Sequence, residues 1–136
     1  MLPPQRTLEV QSQSLKNAHQ LLQNGWGLYL GEPEEQQAEL ARTLKLQTVK
    51  VRFFSPVTEF IREGERRHPQ QKIKTGPKNE TGKIEYLDYL VPLPRRSFNE
   101  FMLWAYRYMN HAMVLSPPEL AEQHRQAARK LVARWD

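Results

Sequence analysis

Lys50 and Arg52 alternate with Val49, Val51 and Phe53 along Thr48-Val49-Lys50-Val51-Arg52-Phe53-Phe54. That alternation is the period of a half-buried β-strand, so Lys50, Arg52 and Phe54 share the face turned away from the core. Lys72 and Lys74 flank Ile73 in the same manner. Tyr86 or Tyr89 must lie on the same face of a third strand, and Tyr86 is taken as the candidate. Cations that neutralise phosphate, set beside rings that stack on bases, are what a sheet needs to hold a single nucleic-acid strand or a nucleotide. The same pattern also suits a face covered by another domain or subunit, with the rings as packing residues. Two basic knots lie nearby. Arg66 and Arg67, with His68 and Pro69, close the first strand–helix unit, and Arg95 and Arg96 precede a helix start. Each could contact phosphate, and each could simply solubilise the end of an element.

Other chemistry has little footing. His19, His68, His111 and His124 fall in different elements with no metal-ligand spacing. The chain has no cysteine, which removes disulfides, thiol catalysis and cysteine-ligated zinc, and makes a reducing cytoplasm the default compartment. No nucleophile elbow, phosphate-cradling glycine loop or H-E-x-x-H motif occurs. Glu63 and Glu65 read as a solvated helix end rather than a catalytic pair. Neither enzymatic activity nor a cofactor is expected, and no apolar run reaches the length of a membrane span.

Charge is unevenly distributed. Residues 1–44 carry three basic and five acidic side chains, residues 45–96 carry twelve and six, and residues 97–136 carry five and four. The net +5 therefore resides in the middle third, which favours a polyanionic partner over a neutral one.

The elements that must position these residues follow from periodicity and breakers. Residues 5–24 read as a polar helix with Leu8, Leu15, Ala18, Leu21 and Leu22 as its apolar stripe, ended by Asn24-Gly25. Trp26-Gly27-Leu28-Tyr29-Leu30 is a link, and Gly31-Glu32-Pro33 starts a second helix to about Thr43. After the strand at 48–54, Ser55-Pro56 opens a helix to about Gly64. Strands near Gln70–Lys74 and Lys83–Val91 follow, the second broken by Pro92-Leu93-Pro94. Ser97 with Glu100 marks a capped helix whose apolar face is Phe98, Phe101, Met102, Ala105 and Met109. A short strand at Ala112–Leu115 leads to the last helix. There Ser116 would cap, Pro117 would take the first position, and Glu119 would complete a capping box. Leu120, His124, Ala127, Ala128, Leu131 and Trp135 form one face of that helix, expected to pack or to form a dimer seam.

From residue 47 the order is β-α-β-β-α-β plus a closing helix, which is the ferredoxin-like split βαβ arrangement in the α+β class. In it two helices cover one face of a four-stranded antiparallel sheet and leave the other face open. The domain boundary is placed at 46/47, with residues 1–46 as a helical extension and linker.

Three segments in order, Val49–Pro56, Arg67–Gln71 and Trp104–Leu120, resemble the C-terminal extension domain, called WCX, of bacterial WYL-domain transcriptional regulators. Val114-Leu115-Ser116-Pro117-Pro118-Glu119-Leu120 with its long basic helix is the most specific part. The resemblance covers about residues 47–135 and implies a ferredoxin-like fold, a role in homodimerisation, and regulation by a nucleic acid or other effector. Longer members place a DNA-binding winged helix and a ligand-sensing barrel ahead of this domain. Neither is read in these 136 residues, so recognition of single-stranded DNA by the barrel is not implied. Gly25-Trp26-Gly27 is similar to the linker of a branch encoded beside CRISPR systems. The resemblance implies a regulatory module, either part of a longer regulator or a short standalone form.

Overall fold

The computed structural model describes residues 4–27, 29–41 and 45–136, with side chains from residue 12 onward. Two N-terminal helices, α1 (Pro4–Asn24) and α2 (Pro33–Leu40), precede the sheet domain. That domain runs β1 (Gln47–Phe54), α3 (Thr58–Glu63), β2 (Lys72–Thr75), β3 (Tyr86–Leu93), α4 (Phe98–Tyr106), β4 (Ala112–Ser116) and α5 (Pro118–Ala133). The sheet order is β2-β3-β1-β4, and every neighbouring pair is antiparallel. This is the ferredoxin-like order, with β1 and β3 at the centre.

Alternation does what the sequence pattern demands. Val49, Val51 and Phe53 of β1, and Leu87, Tyr89, Val91 and Leu93 of β3, are fully buried on one face. Against them pack Ile61 of α3 and Phe98, Phe101, Met102 and Ala105 of α4. Burial of each of the valine, leucine, isoleucine, phenylalanine and methionine side chains contributes about 1.5–3 kcal/mol.

Several boundaries differ from the sequence expectation. β2 begins at Lys72 rather than Gln70, and β3 begins at Tyr86 rather than Lys83. β3 also runs through Pro92 to Leu93 instead of breaking there. Pro92 lies past Leu90, the last residue with a β2 partner, so the strand has a neighbour on one side only, where proline is tolerated. α3 starts at Thr58, after a turn over Ser55–Val57.

Both expected serine capping boxes are absent. Ser116 ends β4, Pro117 takes the cap position of α5, and the Pro117 carbonyl receives the Leu120 and Ala121 amides. Glu119 turns to Arg95 instead. Ser97 does occupy the cap position of α4, but its hydroxyl accepts from Trp26 N–H at 2.9 Å. The capping box that forms belongs to α2, between Glu32 and Glu35.

At the chain ends the buried faces are narrower than the apolar pattern of the sequence. Of the α1 stripe, Leu21 is buried whereas Leu15 and Leu22 are exposed; the side chain of Leu8 lies outside the described residues. α2 ends at Leu40, and residues 42–44 are likewise outside them. Met109 leaves α4 with φ at 48° and is exposed. Leu120 is buried, but Leu131 and Trp135 are exposed, Trp135 at 78 %. The proximal half of α5 instead covers the outer edge of β4, where the Val114 amide, next to the bulged Leu115, donates to His124 Nδ1 at 3.2 Å.

The extension is seated on the sheet domain by its own chemistry. Trp26 packs at 4.8–6.1 Å, ring to ring, on Trp104, Phe101 and Tyr89. Arg96 is buried and pairs with Glu39 at 2.9 Å, while donating to the carbonyls of Tyr29 and Leu21. Removing either partner of such a pair strands a buried charge, a cost of about 3–5 kcal/mol. Gly25 leaves room for this guanidinium, because a β-carbon there would lie 2.6 Å from its Nη1.

Candidate functional site

The open sheet face carries Thr48, Lys50, Arg52 and Phe54 from β1, Tyr86, Asp88, Leu90 and Pro92 from β3, Lys72 and Lys74 from β2, and Met113 from β4. The registers Arg52↔Asp88, Arg52↔Met113, Lys74↔Asp88 and Lys72↔Leu90 bring them side by side. Tyr89, the alternative to Tyr86, is in the core; its hydroxyl donates to Gln71 Oε1 at 2.6 Å, and burial raises its pKa far above the ordinary phenol value.

This face divides into two halves. One centres on Asp88, a residue that the sequence reading passed over although its parity with Tyr86 places it on the open side. Arg52 grips its carboxylate with two bonds, at 2.8 and 3.1 Å, and Lys50 approaches to 3.5 Å. The Arg52 bond, above all, holds the Asp88 carboxyl below the ordinary carboxylate range and raises the arginine in turn. The Arg52 guanidinium also lies 4.0 Å from the Tyr86 ring centroid, with Phe54 6.4 Å beyond. Gly76 permits this arrangement, since a β-carbon there would lie 2.7 Å from the Tyr86 ring. Lys50 and Arg52 are thus charge-paired, and Tyr86 is covered on one side by a cation.

The other half is a groove of about 700 Å³ lined by Thr48, Arg66, Pro69, Gln70, Gln71, Lys72, Lys74, Leu90 and Pro92. It holds three cations, two amides and a hydroxyl over an apolar floor, and among the described residues that line it none is acidic. Arg66, Lys72 and Lys74 therefore meet here, brought from a loop and an edge strand. Thr48, Gln70, Gln71, Leu90 and Pro92 had carried no functional expectation. Charge alone pointed to the cations, whereas uncharged liners give no signal until the register is known.

The other arginines of the two knots contact the protein itself. Arg67 stands apart from the groove, 5.3 Å from the Trp104 centroid and 5.7 Å from that of Phe60. Arg95 makes a surface pair with Glu119 at 2.7 Å, whereas Arg96 is buried against Glu39 and holds the extension, so only Arg95 of the second knot reaches solvent. His68 is buried too. Among the described residues no group of three histidine, aspartate or glutamate side chains could hold a metal, and no helix is long and apolar enough to cross a membrane.

Fold and face together define a class: a ferredoxin-like α+β module that leaves one side of its sheet uncovered and concentrates cations there. A family model described as WCX domain matches residues 45–132, close to two thirds of the chain. The chain belongs to this family, the WCX domain of WYL-type transcriptional regulators. No curated protein matches it. The Gly25-Trp26-Gly27 segment precedes the matched residues, and Trp26 within it packs on their aromatic core.

Proposed function

We propose that this chain is a non-enzymatic regulatory module that senses a nucleic-acid or nucleotide effector by gripping its phosphates in the groove beside β2. The observation that carries this reading is the groove itself: Arg66, Lys72 and Lys74 converge with no carboxylate among the described residues that line it, in a volume that suits a small-molecule site. Phe54 and Tyr86 on the adjoining half would supply stacking surface for a base. Regulation then needs only a difference in affinity between two arrangements of the regulator, not a reaction. The cytoplasm is the compartment such a regulator requires.

Binding of labelled single-stranded oligodeoxythymidylate at two salt concentrations tests the reading. Affinity is expected to fall steeply with salt. The Lys72→Ala, Lys74→Ala variant should bind more weakly, with the log–log salt slope reduced by about 0.7 per lost phosphate contact. Binding indifferent to salt and to this variant overturns the reading.

A second reading is a dimerisation module without a ligand. It is favoured by the exposed Leu131, Val132 and Trp135 at the distal end of α5. A stable dimer in sedimentation together with no oligonucleotide binding selects it.

A further inference from the structure

The loop between α3 and β2 has two sides with different duties. Outward, Arg66, Pro69, Gln70 and Gln71 form one wall of the groove. Inward, His68 is 2 % exposed and its ring is committed at both nitrogens. Nδ1 accepts from the Gln70 amide at 3.0 Å, which puts the ring hydrogen on Nε2. Nε2 donates to the carbonyl of Asn24 at 3.1 Å. Asn24 is the last residue of α1; its side-chain amide donates to Glu39 of α2 at 3.0 Å, and Glu39 holds the buried Arg96. Gln71 fastens the same loop from beneath, its Oε1 accepting from the Arg67 amide at 2.9 Å and the Tyr89 hydroxyl at 2.6 Å.

Residues 64–71 belong to no helix or strand. Their path is set by these few bonds, so what grips the outer side bears on what the inner side holds. The arrangement that presents Arg66 and Gln70 to the groove is the one in which His68 holds α1.

We propose that this loop couples the groove to the seating of the N-terminal helices: a phosphate-bearing ligand in the groove tightens the His68–Asn24 contact, and seated helices raise the affinity of the groove. The inference rests on the groove reading above, and its two halves are one quantity, because a coupling free energy is reciprocal. It gives the effector a route from the sheet face to the segment that precedes the matched domain.

The test uses the full chain and oligodeoxythymidylate. Hydrogen exchange of residues 18–27 is followed with and without saturating oligonucleotide, and slower exchange is expected on binding. His68→Leu, which keeps bulk but donates nothing, should abolish that response and weaken binding at least about five-fold. The salt slope should stay unchanged, because no phosphate contact is removed. His68→Gln, which retains a donor, should preserve part of both. Salt-dependent binding with unaltered exchange at residues 18–27 in the native chain overturns the coupling alone and needs no variant to fold. Absence of binding in the native chain overturns the groove reading and the coupling together.

Discussion

Asp88 governs how much of the basic face is available to an anion. With Lys50 and Arg52 both engaged on it, that half of the sheet holds three charges that sum to a single positive one. Asp88→Asn should release both cations, raise oligonucleotide affinity and steepen the salt slope by about 0.7–1.4. The cost in stability should be about 1–3 kcal/mol, above that of a surface pair, because Asp88 itself is 8 % exposed even though its two cationic partners reach water. Parallel binding titrations and urea melts measure the two effects, and a fall in affinity would place the ligand elsewhere. The histidines set a different pH window. His68 and His124 are both held below the ordinary histidine value by burial. A depressed folded value means that the unfolded chain takes up protons first as pH falls. Stability is therefore full above about pH 6.5 and declines as pH drops toward the folded values. Urea melts between pH 7 and 5 should show that decline, and His68→Gln and His124→Gln should each flatten it. Asp88 stays out of this window, since its depressed carboxyl costs stability only as pH falls below the ordinary aspartate value, about 3.9.

At the scale of elements, two serines that look alike in sequence do unlike work. Both stand three residues ahead of a glutamate, yet neither closes a capping box. The Ser97 hydroxyl is fully buried and accepts the Trp26 amide, so Ser97→Ala leaves that donor without an acceptor and should cost about 1–3 kcal/mol. Ser116 lies at the end of β4 and makes no capping bond, so Ser116→Ala should stay within about 0.5 kcal/mol of the native chain. Urea denaturation of the two variants side by side checks the contrast. The elements legible in the sequence are those whose pattern is repeated: three alternating apolar positions in β1, and Phe98, Phe101, Met102 and Ala105 in α4. A capping motif is a single local coincidence, and here the competing partners arrive from far along the chain. Arg96 illustrates the same limit. Beside Arg95 it resembles a solvated pair, and only folding brings it to Glu39, 57 residues away.

For the molecule as a whole, element order was enough for the topology, because β-α-β-β-α-β has few ways to bury one sheet face under two helices. Element order says less about which cations are engaged: Lys50, Arg52, Lys72 and Lys74 are equivalent by parity, the register sets Asp88 opposite both Arg52 and Lys74, and only the side-chain geometry commits it to Arg52 and Lys50. Nor does it say where an amphipathic helix stops being covered. α5 satisfies its proximal half on β4 through Leu120 and His124, and then outruns the sheet domain. Leu131, Val132 and Trp135 are left on a basic terminal segment with Arg129, Lys130 and Arg134. A large exposed ring adds little to the stability of one chain, so Trp135→Ala should shift the urea midpoint by no more than about 0.5 kcal/mol equivalent. In a dimer seam the same ring would be an anchor, and its loss should cost about 2 kcal/mol or more of association free energy. Sedimentation of the native chain and of Trp135→Ala over a concentration series distinguishes these roles. A concentration-dependent dimer lost in the variant, with the unfolding midpoint unchanged, assigns α5 to self-association. Identical sedimentation of the two proteins removes Trp135 from any seam and leaves the sheet face as the working surface of the domain.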